Sequence, residues 1–117
     1  MSKIGAATFS GASGEKYRFN VYTLNTRFRN IGAVYIFAKR TISSHGKETY
    51  SFLHIGQTGE LKERLSNHEK LPCVMQNGAN CICVHFDKDQ TSRQNKEDDL
   101  LEVGGTPCNE METDFFD

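Results

Sequence analysis

The six residues Ala33-Val34-Tyr35-Ile36-Phe37-Ala38 form an unbroken β-prone run with no charged position. Side chains alternate across a strand, so a run that is apolar at both parities has to be covered on both faces. This makes it the central strand of a sheet with packed layers on either side, and it restricts the fold to an α/β or α+β architecture. At 117 residues, 37% hydrophobic and 25% charged, the chain carries enough apolar material for one compact domain without staples.

The remaining pattern arranges itself around that strand. Residues 17–22 alternate large and polar side chains as a half-buried strand does, and residues 23–31 read as a polar connector. Ser43-Ser44-His45-Gly46-Lys47 is a turn signal, and residues 50–55 follow as the returning strand of an antiparallel hairpin. Thr58 is placed to cap a helix running to about Glu69, with Leu61 and Leu65 one turn apart on its buried side. A short helical turn is expected over residues 71–77, ended by Gly78, and a third core strand over residues 81–86. The last helix begins at residues 89–92 and runs to about Glu102, where Gly104-Gly105 and Pro107 stop it. The expected class is therefore α/β (α+β), a small central antiparallel or mixed β-sheet flanked by helices. Residues 1–15, rich in Gly, Ser and Ala, read as a flexible start or a weak edge segment, residues 16–110 as a single domain, and residues 111–117 as an acidic tail in which Phe115 and Phe116 are candidates to dock on the body.

Net charge is −1, but residues 1–70 carry +6 and residues 71–117 carry −7. The basic part interleaves Lys16, Arg18, Arg27, Arg29, Lys39, Arg40 and Lys47 with Tyr17, Phe19, Tyr22 and Phe28. This composition suits neutralising phosphates and stacking on bases, and equally suits a solvated surface over core aromatics. No apolar stretch approaches the roughly 18 residues that span a bilayer, and the start lacks a signal-peptide apolar block, so an intracellular, cytoplasmic location and no membrane partner are expected. Cys73, Cys81, Cys83 and Cys108 contain no CxxC pair, and reduced thiols are expected rather than a zinc set or disulfides.

Two helices contain an inconsistency. Arg64 and His68 fall beside the Leu61/Leu65 stripe, and Glu97 shares the face of Leu100 and Leu101, so two opposite charges are aimed inward. Burying an unpaired charge costs several kcal/mol, and such violations mark functional or strained sites. Either Arg64 and Glu97 form a partly buried ion pair between helices, or they belong to a site.

In this order the chain resembles the GIY-YIG endonuclease family. Ala33-Val34-Tyr35 matches its first motif, His54-Ile55-Gly56 its second, and Arg64 its helix arginine, followed by His68 in the family-like Arg-Leu-x-x-His arrangement. Glu97, within Arg93-x-x-x-Glu97-x-x-Leu100-Leu101, matches the glutamate motif, and Pro107-Cys108-Asn109 the closing Pro-x-Asn. The resemblance covers residues 32–110. Ala33 stands where the family has Gly, and His54 where it has the second Tyr.

The resemblance implies metal-assisted hydrolysis of a phosphodiester in DNA. Tyr35, His54, Arg64 and Glu97 take the catalytic roles: Tyr35 or His54 receives the proton of the attacking water, Arg64 offers a planar fork of donors to the phosphate, and Glu97 anchors Mg2+ (or Mn2+). His68, Asn109, Lys39 and Arg40 are candidate substrate-binding residues. His45, in a turn, and His85, on a strand, show no metal-ligand spacing, and Tyr50 shares strand parity with His54. The expected partner is branched or weakly specific DNA, with a protein partner or a second copy supplying further specificity. The competing expectation is a GIY-YIG-like module that no longer cuts and binds nucleic acid or protein.

Overall fold

The computed structural model describes residues 3–109. The acidic segment 111–117 and the docking of Phe115 and Phe116 lie outside the described residues. The elements in chain order are β1 (Lys3–Ser10), β2 (Lys16–Tyr22), β3 (Ala33–Ile42), β4 (Glu48–Thr58), α1 (Leu61–Ser66), α2 (Leu71–Gln76), β5 (Cys81–Phe86), α3 (Gln90–Leu101) and a 3-10 turn, η1 (Pro107–Asn109). The five strands form one antiparallel sheet in the order β1-β2-β5-β3-β4, an α+β architecture as the pattern predicts.

β3 has neighbours on both sides, β5 and β4, and its residues 33–38 are buried throughout. Its two parities serve different layers. Ala33, Tyr35 and Phe37 pack with Leu61 of α1 and Val74 of α2, whereas Val34, Ile36 and Ala38 pack with Leu100 of α3. The sheet curls toward α3 until Phe9 on one edge strand meets Phe52 and Tyr50 on the other, with ring centroids 4.7 and 5.3 Å apart. Asp99 of α3 also holds the β1–β2 turn, accepting from Tyr17 Oη at 2.7 Å and Ser13 Oγ at 2.7 Å.

Several expectations are corrected. Of the two alternatives for residues 1–15, the edge segment holds and the flexible start does not: residues 3–10 are an edge strand whose inward positions, Gly5, Ala7 and Phe9, are too weakly apolar to register as a period, yet they pair with β2. α1 stops at Ser66 instead of Glu69, because Asn67 adopts φ −149° and ψ 60°, outside the helical region. His68 therefore sits in the connection to α2, not on a helix. A register irregularity between Phe37 and Ala38 leaves Leu53 as an extra residue in β4, so Tyr50 and His54 face opposite sides of the sheet despite their even spacing. Cys73 and Cys108 are joined by a disulfide, with Cα atoms 5.9 Å apart, because the fold lays η1 against α2; Cys81 and Cys83 remain buried free thiols. Among the described residues no helix is long and apolar enough to cross a membrane.

Candidate functional site

Tyr35 points from the central strand toward the α1/α2 layer and lies over Gly56 on the neighbouring edge strand. A Cβ at position 56 would stand 2.5 Å from the Tyr35 hydroxyl oxygen, so the glycine is what lets the phenol cross β4. His54, two residues earlier on β4, stacks beside the phenol with centroids 6.0 Å apart, and His68 closes the group at 4.8 Å from the His54 ring. All three rings are at least 94% buried in an otherwise apolar layer.

The hydrogen bonds settle the proton on one of these rings. The backbone N–H of Lys70 donates to His68 Nδ1 at 3.1 Å, so that nitrogen carries no proton. The neutral ring must then hold its proton on Nε2, which lies 2.8 Å from Tyr35 Oη and donates to it. The Tyr35 hydroxyl proton is left free to point elsewhere. His54 offers a buried Nδ1 without a hydrogen-bond partner among the described residues, an arrangement that costs free energy unless something occupies it.

Burial sets the ionisation of the group. It pushes Tyr35 up to about 12, with Arg64 pulling back and Glu69 and Glu97 adding to the rise. It pushes His54 and His68 down to about 4, helped in both cases by the positive charge of Arg64. Near neutral pH the site thus holds two uncharged imidazoles and a protonated phenol.

Arg64, half-buried on α1, does not pair with Glu97. Both of its terminal nitrogens donate to Glu69, at 2.6 and 2.8 Å, in a bidentate pair that raises the arginine and draws Glu69 down to about 2. Glu97, half-buried on α3, accepts from Gln94 Nε2 at 2.9 Å, and burial raises its carboxyl above the usual range. It acts electrostatically on the Tyr35 hydroxyl although α3 packs on the opposite layer, because α3 runs along β4 at the sheet edge that Tyr35 crosses.

Tyr35, His54, His68 and Arg64 are therefore brought together, with Glu97 at the margin of the same edge. Asn109 is near but occupied: its side chain accepts from Ile55 N at 2.8 Å and donates to Ile55 O at 3.0 Å, pairing with the free edge of β4 as a further strand would. Lys39 and Arg40 are not at the site. Arg40 lies five residues along β3 from Tyr35, about 16 Å at roughly 3.3 Å per residue, and is held by Glu48 at 3.1 Å and Tyr50 at 3.2 Å. His45 is an exposed turn residue, and His85 bonds Arg18 O and Lys96 on the other face.

Two residues escaped the sequence reading. Glu69, a surface-type residue in a turn, gives no signal that it occupies the arginine's fork. Arg93 is 6% exposed and lodges against Gly32, donating to Gln57 Oε1 at 3.0 Å and Asp87 O at 3.1 Å. Its place one turn before Glu97 was the available clue. Through Gln57 and Gln94 it ties the end of β4 to the glutamate.

Among the described residues no group of three His, Cys, Asp or Glu could hold a metal ion. Glu69 is taken up by Arg64, and the Glu97 carboxylate supplies a hard oxygen donor that fits Mg2+, an ion that keeps several waters and needs one or two carboxylates beside a substrate phosphate. No protein-family model matches the chain, and neither a curated protein nor a solved structure matches it.

Proposed function

We propose that the chain is a metal-dependent endonuclease that hydrolyses DNA phosphodiester bonds at the Tyr35–His54–Arg64–Glu97 edge. The observation that carries this reading is the burial of a neutral His54, with a ring nitrogen that has no hydrogen-bond partner among the described residues, against Tyr35 and beside a guanidinium. A packing role alone would be better served by an apolar ring.

His54, unprotonated near neutral pH although burial weakens it as a base, is the ring free to take the proton of the attacking water, whereas a phenol pushed up to about 12 still holds its own proton. Tyr35, fixed by the proton it accepts from His68, turns its own hydroxyl toward the water or the phosphate. Arg64 exchanges the Glu69 carboxylate for phosphate oxygens, which present a similar planar pair of acceptors. Glu97 would hold Mg2+ (or Mn2+), which when bound supplies charge stabilisation for the departing oxygen. The partner is DNA, branched or weakly sequence-specific.

A second reading is favoured by the Arg64–Glu69 pair: a GIY-YIG-like module whose phosphate-binding fork is permanently filled binds nucleic acid or protein without cutting. Nicking of supercoiled plasmid with Mg2+ separates the two. Wild-type chain is expected to nick, with Glu97→Ala and Arg64→Ala reduced by about 10²–10³-fold; equal traces in all three overturn the nuclease reading.

A further inference from the structure

Behind the His54/His68 pair, separated from it by the Phe37 ring, lies a cavity of about 620 Å³ between α1, α2 and the β2–β3 connection. Its floor is Phe37 and Ile82 and its walls include Phe28, Leu65 and Met75. Leu71 and Met75 at its mouth are 41% and 48% exposed, an apolar opening that the described chain leaves uncovered. Such a rim on a small domain points to a ligand.

The polar groups around it define what kind. Arg27 and Lys62 stand at the opening, and Asn25, Thr26 and Ser66 supply neutral donors and acceptors, while no carboxylate among the described residues lines the cavity. A flat ring with hydrogen-bonding edges, attached to an anionic backbone, satisfies all three kinds of wall at once. Phe28 and Met75 would cover its faces, Asn25 and Ser66 would meet its edge, and Arg27 and Lys62 would meet flanking phosphates. The position fits as well. Lys62 and Leu65 lie on one side of α1 and Arg64 on another, so the cavity and the arginine are about 10–12 Å apart, the width of a helix.

We propose that this cavity receives one unpaired nucleobase of a DNA strand, adjacent to the phosphate that Arg64 holds. The inference rests on the reading of the chain as DNA-binding and deepens it: the preferred substrate has an unpaired base near the scissile bond, as at a branch, flap or gap. A base inside a duplex would first have to be unstacked at a cost, which makes paired DNA the poorer ligand.

The test uses the full chain in EDTA with a single-stranded oligonucleotide carrying one 2-aminopurine, beside the same sequence as a duplex. The 2-aminopurine fluorescence is expected to change on binding. Met75→Glu, an exposed substitution that the fold tolerates, should weaken single-strand binding about tenfold and duplex binding less than twofold. Lys62→Gln should weaken both by a few-fold, reporting the phosphate contact. Equal losses on the two DNAs for Met75→Glu, no loss, or no single-strand binding at all overturns the proposal. So does unchanged DNA binding with the cavity filled by residues 110–117 or by a second copy, seen as contacts to the Met75 methyl in NMR. Base binding that depends on Met75 in a chain that never nicks plasmid would refute the nuclease and leave this site standing.

Discussion

The two faces of β3 use the same strand for opposite ends. Toward α3 the core is apolar, built from Phe19, Val21, Val34, Ile36, Ala38, Ile55, Cys81, Cys83 and Leu100, and the buried Arg93 of α3 has its donors taken up by Gln57 and the Asp87 carbonyl. Toward α1 and α2 it is apolar except for Tyr35, His54 and His68, whose polar atoms are buried and only partly satisfied. Burying such groups lowers stability, so their concentration on one face, at the edge where Arg64 and Glu97 act on the same hydroxyl, separates a packing layer from a chemical one.

Substitutions that probe each face sharpen the contrast. Leu100→Ala removes a 2% exposed side chain from the packing layer. It should cost about 2–5 kcal/mol in urea unfolding, while activity per folded molecule stays within twofold. Tyr35→Phe on the other face leaves the His68 Nε2–H without its acceptor. It should cost about 1–3 kcal/mol, with a loss of activity that Leu100→Ala does not share.

Acid stability distinguishes the faces without a mutation. In the folded chain His54 and His68 stay neutral down to about pH 4, whereas once unfolded they take protons near pH 6.5. The unfolded state binds more protons between those values, so their contribution is complete above about pH 6.5 and is lost as pH falls toward 4. The melting temperature should drop across that window, and Leu100→Ala should leave the shape of the curve unchanged. The smallest effect is expected from Glu69→Gln, which weakens the carboxylate that fills the Arg64 fork. DNA affinity should rise a few-fold by fluorescence anisotropy, and no rise would support the module whose fork is closed.

The sequence made the packing layer and the site unequally legible. The run over residues 33–38 announced a doubly covered central strand, and the last helix starts where expected, with Asp89 accepting from Ser92 N at 2.7 Å, whereas Thr58 does not cap α1, whose N-cap is Glu60. The order of Tyr35, His54, Arg64 and Glu97 pointed to one site, and four side chains including His68 meet there. β1 was hidden because Gly5, Ala7 and Phe9 carry too little apolar area to show a period. The orientation of Tyr50 was hidden because one extra residue at Leu53 inverts the parity downstream, and such an irregularity depends on the pairing partner rather than on local composition. The Cys73–Cys108 disulfide and the Arg64–Glu69 pair depend on how α1, α2 and η1 turn against each other, which no periodicity records.

His54 is the decisive position, because His54→Phe keeps a ring and its packing while removing both nitrogens. Single-turnover cleavage of branched DNA in Mg2+, normalised to folded protein, should fall about 10²–10⁴-fold in this variant. Its stability should be unchanged or higher by about 1 kcal/mol, since a buried nitrogen without a partner among the described residues is gone. A His54→Phe chain that cuts as fast as wild type would contradict the claim that this face of the sheet is built for chemistry.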